Sequence, residues 1–313
     1  MSANLTPLFS KGINENILFE LMEAEPTYSR VFHTTETNSP YLDDFTWELY
    51  GLPRATQPME PVYMDSFRPS FSKRYVLVKY TIGDAIAKEY MDYDQYGLIS
   101  RVVPSRAGAL ARAYIVRREY ACANFLGVLG FQSGTNVPGM ADGVALFSTA
   151  HPISLSNMST TWSNRPSTDA DLSHATYNVA SAALLQQMAP NNVTILSNPP
   201  AQLIVNPNIR HVAYQIAQGN WERGTNNFNM NVGVRDNIEV VVWPYFRASG
   251  ATGTYNAWVL LGQHHFLKYV ANPRGIEIDT DYDIRTQAYL FVSYCLEDVG
   301  ASDARGTYGS KGA

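Results

Sequence analysis

The chain has 313 residues, 45% of them hydrophobic, which is enough apolar material for one elaborate domain or two modest ones. Charged residues are only 16%, below the usual quarter or so of a soluble protein, and Asn, Ser, Thr, Tyr and Gly fill the gap. A net charge of −5 with no Lys/Arg block excludes a basic nucleic-acid footprint, and no run reaches the ~18 apolar residues of a membrane span, so neither sequence-specific DNA binding nor a membrane partner is expected.

Residues 1–40 read as an arm. The pattern predicts a short amphipathic helix from Ile13 to Ala24, stopped by Pro26, then a polar run, Thr34 to Pro40, that cannot bury itself and needs a neighbour. Residues 41–82 read as extended, because Pro53, Pro58, Pro61 and Pro69 forbid a helix. Phe71 to Tyr80 is β-branched and aromatic with mixed faces, which suits a long hairpin lying on another subunit.

Residues 84–127 are the long-helix candidate. Pro104 is expected near a first turn, and Leu110, Ala113, Tyr114, Arg117, Ala121 and Phe125 form the stripe. Arg112, Arg117 and Arg118 are expected to keep their guanidinium groups in solvent or at an interface. Residues 128–170 are loop-rich, with a hairpin expected around Ala145 to Thr149. A second helix follows at about 174–189, then a buried strand Ala201 to Val205. Asn206-Pro207 is a helix start, and Gly219 closes that third helix after Gln218. Ile238 to Trp243, Ala257 to Leu261 and Ala288 to Tyr294 read as strands, and the glycine-rich tail from Gly306 is expected to fray unless pinned. The order of elements predicts an α+β fold.

A search for chemistry finds little. Cys122 and Cys295 match no metal spacing and no disulfide framework, so free, buried thiols are expected. His264-His265 has no third ligand at a recognisable offset, and strand neighbours point to opposite faces. Asp279, Asp281 and Asp283 alternate, but without the glycine and terminal glutamate of a calcium loop they read as a solvated strand edge. Ser148 and His151 lack a nucleophile elbow, so His151 reads as a turn histidine and a hydrolase using it is a rival interpretation. Gly250 to Gly253 reads as a flexible loop, not a phosphate cradle. No cofactor is expected, and the default class is an interaction or structural protein.

One segment points further. Asp142 to Pro152 contains Leu146-Phe147-Ser148-Thr149-Ala150-His151-Pro152, which resembles the "LFSTAHP" signature of tailed-phage major capsid proteins, above all the Mu-like major head subunit group. Asp92 to Gly97 resembles the stretch before that group's long helix, and Pro200 to Pro207 its strand-to-helix junction. Asp303-Ala304-Arg305 and Gly309 to Gly312 resemble its ending, so the resemblance runs from about residue 28 onward.

The resemblance implies an HK97-like capsid fold. Its parts would be an N-terminal arm (1–40), an extended loop (41–82), a peripheral domain with a spine helix of about 93–127 (83–189), an axial domain (190–284) and a return to the peripheral domain (285–313). It implies a subunit without enzymatic activity that forms hexamers and pentamers of an icosahedral shell around double-stranded DNA, located in the virion and assembled in the bacterial cytoplasm. Portal, scaffolding and decoration proteins would be its partners. The chain reaches the arm almost at once after Met1, so an uncleaved subunit with a separate scaffolding protein is expected. Trp47, Arg68, Lys73, Arg74 and Tyr75 on the extended loop are the candidate inter-subunit contacts, and Phe147, Ser148, His151 and Pro152 the family-signature turn. Another virion component and a nanocompartment shell are the nearest rivals.

Overall fold

The computed structural model describes residues 26–93, 98–132, 140–219, 221, 230–247 and 255–313. The helix expected at Ile13 to Ala24, the stretch Asp94 to Gly97 and the loop Gly250 to Gly253 lie outside them. In chain order the first elements are α1 (Tyr28–Val31), β1 (His33–Glu36), β2 (Tyr41–Glu48), β3 (Arg68–Val76), β4 (Val78–Ala87), α2 (Lys88–Asp92) and α3 (Leu98–Gly127). Next come β5 (His151–Pro152), β6 (Thr161–Trp162), α4 (His174–Leu185), β7 (Pro200–Val205) and α5 (Arg210–Gln218). The rest is strand: β8 (Glu239–Val242), β9 (Trp258–Gly262), β10 (Leu267–Ala271), β11 (Glu277–Asp283), β12 (Ala288–Ala301) and β13 (Thr307–Ser310).

Two compact units share these elements. The first contains the described residues up to Leu42, Val76–Ala121 and Tyr269–Asp298; the second contains Asp43–Tyr75, Cys122–Lys268 and Val299–Ala313.

In the first unit β12 is the spine of a sheet, pairing antiparallel with β11 on one side and with β4 on the other. Alternation sorts its side chains: Phe291, Ser293, Cys295 and Glu297 are buried, while Val292 between them is exposed. The buried face packs on Leu110, Ala111 and Tyr114 of α3, with Ile86 of β4. Tyr114 is tied to Ser293 by a 3.1 Å bond between hydroxyls, and Ser293 donates to the Ile82 carbonyl at 2.9 Å.

Several expectations change here. Val78 to Ala87 is one strand in its own unit's sheet: Asp84 to Ala87 are not the start of the long helix, and Val78 to Tyr80 pair within the chain, because β12 supplies a full ladder. The apolar stripe of α3 uses Ala111 rather than Ala113, and Pro104 lies inside the helix, beyond its first turn. Arg117 and Arg118 are not left to solvent. Arg118 Nε donates to Glu297 at 2.9 Å, and the Arg117 guanidinium lies 3.3 Å over the Tyr80 ring. Tyr269 donates to the same carboxylate at 2.5 Å; burial, then the Glu297 charge, pushes that phenol far up. Cys295 beside them is pushed up to about 12, by burial first and then by Glu297. The polar run after Thr34 finds its neighbour within the chain: β1 lies beside β10, and Thr37 N–H donates to the Ala271 carbonyl.

The second unit is built on a four-stranded sheet of order β13-β9-β7-β8. β7 runs parallel to β8 and antiparallel to β9, and β13 is antiparallel to β9. Leu203, Val205, Trp258 and Leu260 share one face by register and bury against Tyr177 and Leu184 of α4 and Ala213 and Ile216 of α5. Each such aliphatic side chain contributes about 1.5–3 kcal/mol by leaving water. α4 starts at a capping box of Ser173 and Thr176 but ends at Leu185, short of the expected 189. Asn206, accepting from Asn208 N–H, caps the 3-10 turn Pro207–Ile209 that leads into α5, and Gly219 closes α5 as expected. The C-terminal strand does not fray: all four residues of β13 are buried, because β9 and the groups described below hold it.

Candidate assembly site

The signature turn is a buried polar knot. His151 is fully buried, with Nδ1 2.7 Å from Asp142 and Nε2 3.2 Å from both the Leu146 carbonyl and the Asn164 side-chain oxygen. Its ring stacks on Trp162 at 4.9 Å, opposite it in the two-stranded β5–β6 pair. Ser148 is not placed to be activated by His151: its hydroxyl accepts from Ala150 N–H, and its own N–H donates to Asn164. Residues 145–149 form bends instead of the expected hairpin, and the strands that do form are the short β5 and β6 beside them. Pro152 is buried at the end of β5. Phe147 is fully buried and stacks on Phe131 at 4.6 Å.

Asn164, which the sequence did not flag, is the hub. Its side-chain amide donates to the Leu146 carbonyl at 2.7 Å and to Thr307 at 3.1 Å, and its backbone carbonyl accepts from Gly309 N–H at 3.0 Å. The signature turn is thereby sewn to the C-terminal strand. A side chain at Gly309 would stand 2.8 Å from the Phe147 ring, so only glycine lets β13 approach the turn. Arg305, buried, donates to the Ile153 carbonyl at 2.6 Å, to the Met188 carbonyl at 2.9 Å and to Asp303 at 2.8 Å, and it lies over Trp162. Two remote pieces of the resemblance, around His151 and around Arg305, are thus one packing unit.

The other candidate residues sit on the β2–β3 pair. Asp43 faces Arg74 and Thr46 bonds the Phe71 carbonyl, a descending register that makes β2 and β3 an antiparallel hairpin. β2 is amphipathic in an inverted sense. Asp44, Thr46 and Glu48 bond their own chain: Asp44 to Lys268 and Ser302, Thr46 to β3, Glu48 to Ser156. Phe45, Trp47 and Leu49, the alternate positions, are exposed. Trp47 stacks on Phe67 at 4.9 Å, leaving its other face open.

Arg68 is bonded to Ser66 at the start of β3. Lys73 is partly exposed on β3, and its stem lies near Gly300. Arg74 is not reserved for a neighbouring subunit's acids. It forks onto Asp43 at 2.7 and 2.8 Å, and that pairing holds the Asp43 carboxyl below its ordinary value. Tyr75 is a correction: it is fully buried, its hydroxyl 2.7 Å from Ser302, so its side chain belongs to its own core. Gly300 makes room for that ring at 2.9 Å.

Between β2 and the loop around residues 190–196 lies a groove of about 320 Å³, lined chiefly by Phe45, Trp47, Leu49, Leu196 and Phe266. Its polar members, Asp44 with Lys268 and Asp303 with Arg305, are already paired. His264 and His265 lie on the bend between β9 and β10, not on a strand, where the His264 backbone is gripped by Asn198. Among the described residues no three metal-ligating side chains converge, and no helix is long and apolar enough to cross a membrane.

A model of the phage capsid protein family matches residues 70–310. No curated protein sequence matches the chain. Among solved structures, the capsid of the cyanophage P-SCSP1u is 13% identical with a TM-score of 0.55, over 92% of this chain and 88% of that one. The capsid of a native GTA particle is 11% identical with a TM-score of 0.56, over 93% and 92% of the two chains. A virus-like particle from Pyrococcus furiosus is 10% identical with a TM-score of 0.50, over 96% and 98%. At these identities the likeness is one of fold, and the fold is the HK97-like one. With its matched region covering most of its length, the chain belongs to the phage capsid protein family.

Proposed function

We propose that this protein is the major head subunit of a tailed phage, of the Mu-like group, and that it builds an icosahedral shell of hexamers and pentamers around double-stranded DNA. The family match over residues 70–310 carries the reading. The inverted amphipathicity of β2 supports it, because a strand that turns apolar side chains outward needs another surface to cover them. In this reading 1–40 is the arm, 41–82 the extended loop, 83–189 and 285–313 the peripheral part and 190–284 the axial part. Trp47, Arg68 and Lys73 meet neighbouring subunits, while Arg74 shapes the hairpin that presents them. Portal, scaffolding and decoration proteins join the shell in the bacterial cytoplasm.

A hydrolase using His151 finds no support in a ring held by Asp142, Leu146 and Asn164. The likeness to a virus-like particle, a shell not described as a phage head, keeps a nanocompartment shell as the second reading.

Electron microscopy of the purified chain tests the proposal. Closed shells or tubes are expected, and a protein that stays monomeric under all assembly conditions sinks it. Particles from the native source should hold double-stranded DNA; a packaged enzyme in its place would move the reading to the nanocompartment.

A further inference from the structure

Beside the C-terminal strand, the second unit holds an apolar recess of about 250 Å³. Trp258 of β9 and Tyr308 of β13, both buried, make its floor, their rings 6.0 Å apart. Ala175, Thr176 and Val179 of α4 form one wall, and the segment ahead of α4 forms the other through Pro166 and Ala170. That segment is pinned at its distance. Ala170 N–H donates to the Ser310 hydroxyl at 3.0 Å, and the Ala170 carbonyl accepts from the Trp258 indole at 3.0 Å and from Ser310 at 2.9 Å. Asp169 pairs with Arg165 and accepts from Lys311 N–H at 3.3 Å. The wall cannot fall onto α4 without breaking these bonds, so the space stays open. Its polar groups are nearly all engaged. The indole N–H is bonded to Ala170, and the Thr176 hydroxyl donates to the Asp171 carbonyl at 3.0 Å within the helix cap. The exception is Tyr308. It is 5% exposed, no group among the described residues bonds its hydroxyl, and burial alone pushes that phenol up. A buried hydroxyl without a partner is rare in a folded protein.

We propose that this recess binds a neutral, ring-sized apolar molecule carrying one hydrogen-bond acceptor, which takes the Tyr308 hydroxyl as its donor. Size sets the ring: a cavity of roughly 150 Å³ holds benzene, so this one has room for a ring with a short substituent. Neutrality follows from the lining, which contains no charged residue, so a charge would be buried without a counter-ion. The single acceptor follows from Tyr308. Water fills the role poorly, because a buried water needs about two to four polar partners and the recess offers one. The two aromatic rings of the floor suit a flat guest, which stacks on one of them or meets it edge-on. Such a guest touches α4, β9 and β13 together, so it stabilises the second unit by mass action. The site lies within one chain and stands apart from the shell-subunit reading.

Acetophenone and ethylbenzene test the site, because they match in size and differ in the acceptor. Each is titrated into the full-length protein, with the heat of binding and the thermal unfolding midpoint as readouts. Acetophenone should bind saturably, one molecule per chain, and raise the midpoint. Tyr308→Phe keeps the ring and removes the donor. It should weaken acetophenone about fivefold, the size of one net hydrogen bond, and ethylbenzene less than about twofold. Val179 stands exposed at the rim, so Val179→Phe should fold normally and abolish the binding of both probes. That variant keeps the proposal testable if Tyr308→Phe fails to fold. No saturable binding of either probe overturns the site. Equal weakening of both probes by Tyr308→Phe overturns the role of the hydroxyl, and binding unchanged in Val179→Phe places the probes elsewhere and overturns the recess.

Discussion

Asn164 uses every polar atom it has. Its side chain and backbone join Leu146, Ser148, Thr307 and Gly309, and it is 1% exposed. Replacing it with Leu keeps roughly the volume but strands the Ser148 N–H and the Leu146 carbonyl away from water. Each orphaned group costs about 1–3 kcal/mol, so Asn164→Leu should lower stability by about 3 kcal/mol or more. Denaturant unfolding of the soluble subunit measures this, and an unchanged midpoint contradicts the hub. His151 was legible as a turn histidine because it sits in a Thr-Ala-His-Pro turn with no catalytic motif. Asn164 was not, because its importance lies in reaching residues 143 positions away, and no local pattern encodes that.

Among the elements, the β2–β3 hairpin shows how a strand can be built for an interface. Its polar alternate positions anchor inward and its apolar ones point out, the reverse of an ordinary surface strand. Composition predicted extended structure here, since four prolines exclude helix. It could not say which face was anchored, because that depends on Lys268, Ser302 and Ser156, all remote in sequence.

The pairing of Asp43 with Arg74 makes the hairpin acid-sensitive. Asp43 is depressed in the folded chain, chiefly by its hydrogen bond to Arg74. Its contribution is therefore complete above the ordinary carboxylate value of 3.8 and is lost as pH falls through the lower folded value. The hydrogen-exchange protection of residues 41–48, taken as the rate relative to the intrinsic rate at the same pH, should fall below pH 4 in the wild type. In Arg74→Leu that protection should already be low at neutral pH, with no acid step of its own. Identical pH profiles for the two proteins would contradict the pairing.

For the whole molecule, the exposed apolar face of β2 has a consequence before assembly. A free subunit showing Phe45 at 51% and Trp47 at 46% carries a patch that non-specific association can use. Phe45→Ser with Trp47→Ser should keep the free subunit soluble at concentrations where the wild type associates, and should also reduce particle yield at least tenfold. Analytical sedimentation with microscopy reads both, and a variant that assembles like the wild type contradicts the assignment of this face. The amino-acid sequence by itself determined the α+β class, the start of α4, the end of α5 at Gly219 and the strands β7, β8 and β9. Caps, prolines and hydrophobic periodicity act within a few residues of where they stand. It also carried the family, through an ordered set of short motifs. Only the tertiary structure decided that Asp84 to Ala87 is strand, that Tyr75 is core, that the glycine-rich end is a buried strand and that the signature turn is sewn to it. Each of those depends on a partner far along the chain, and an isolated stretch of sequence does not specify which remote segment will meet it.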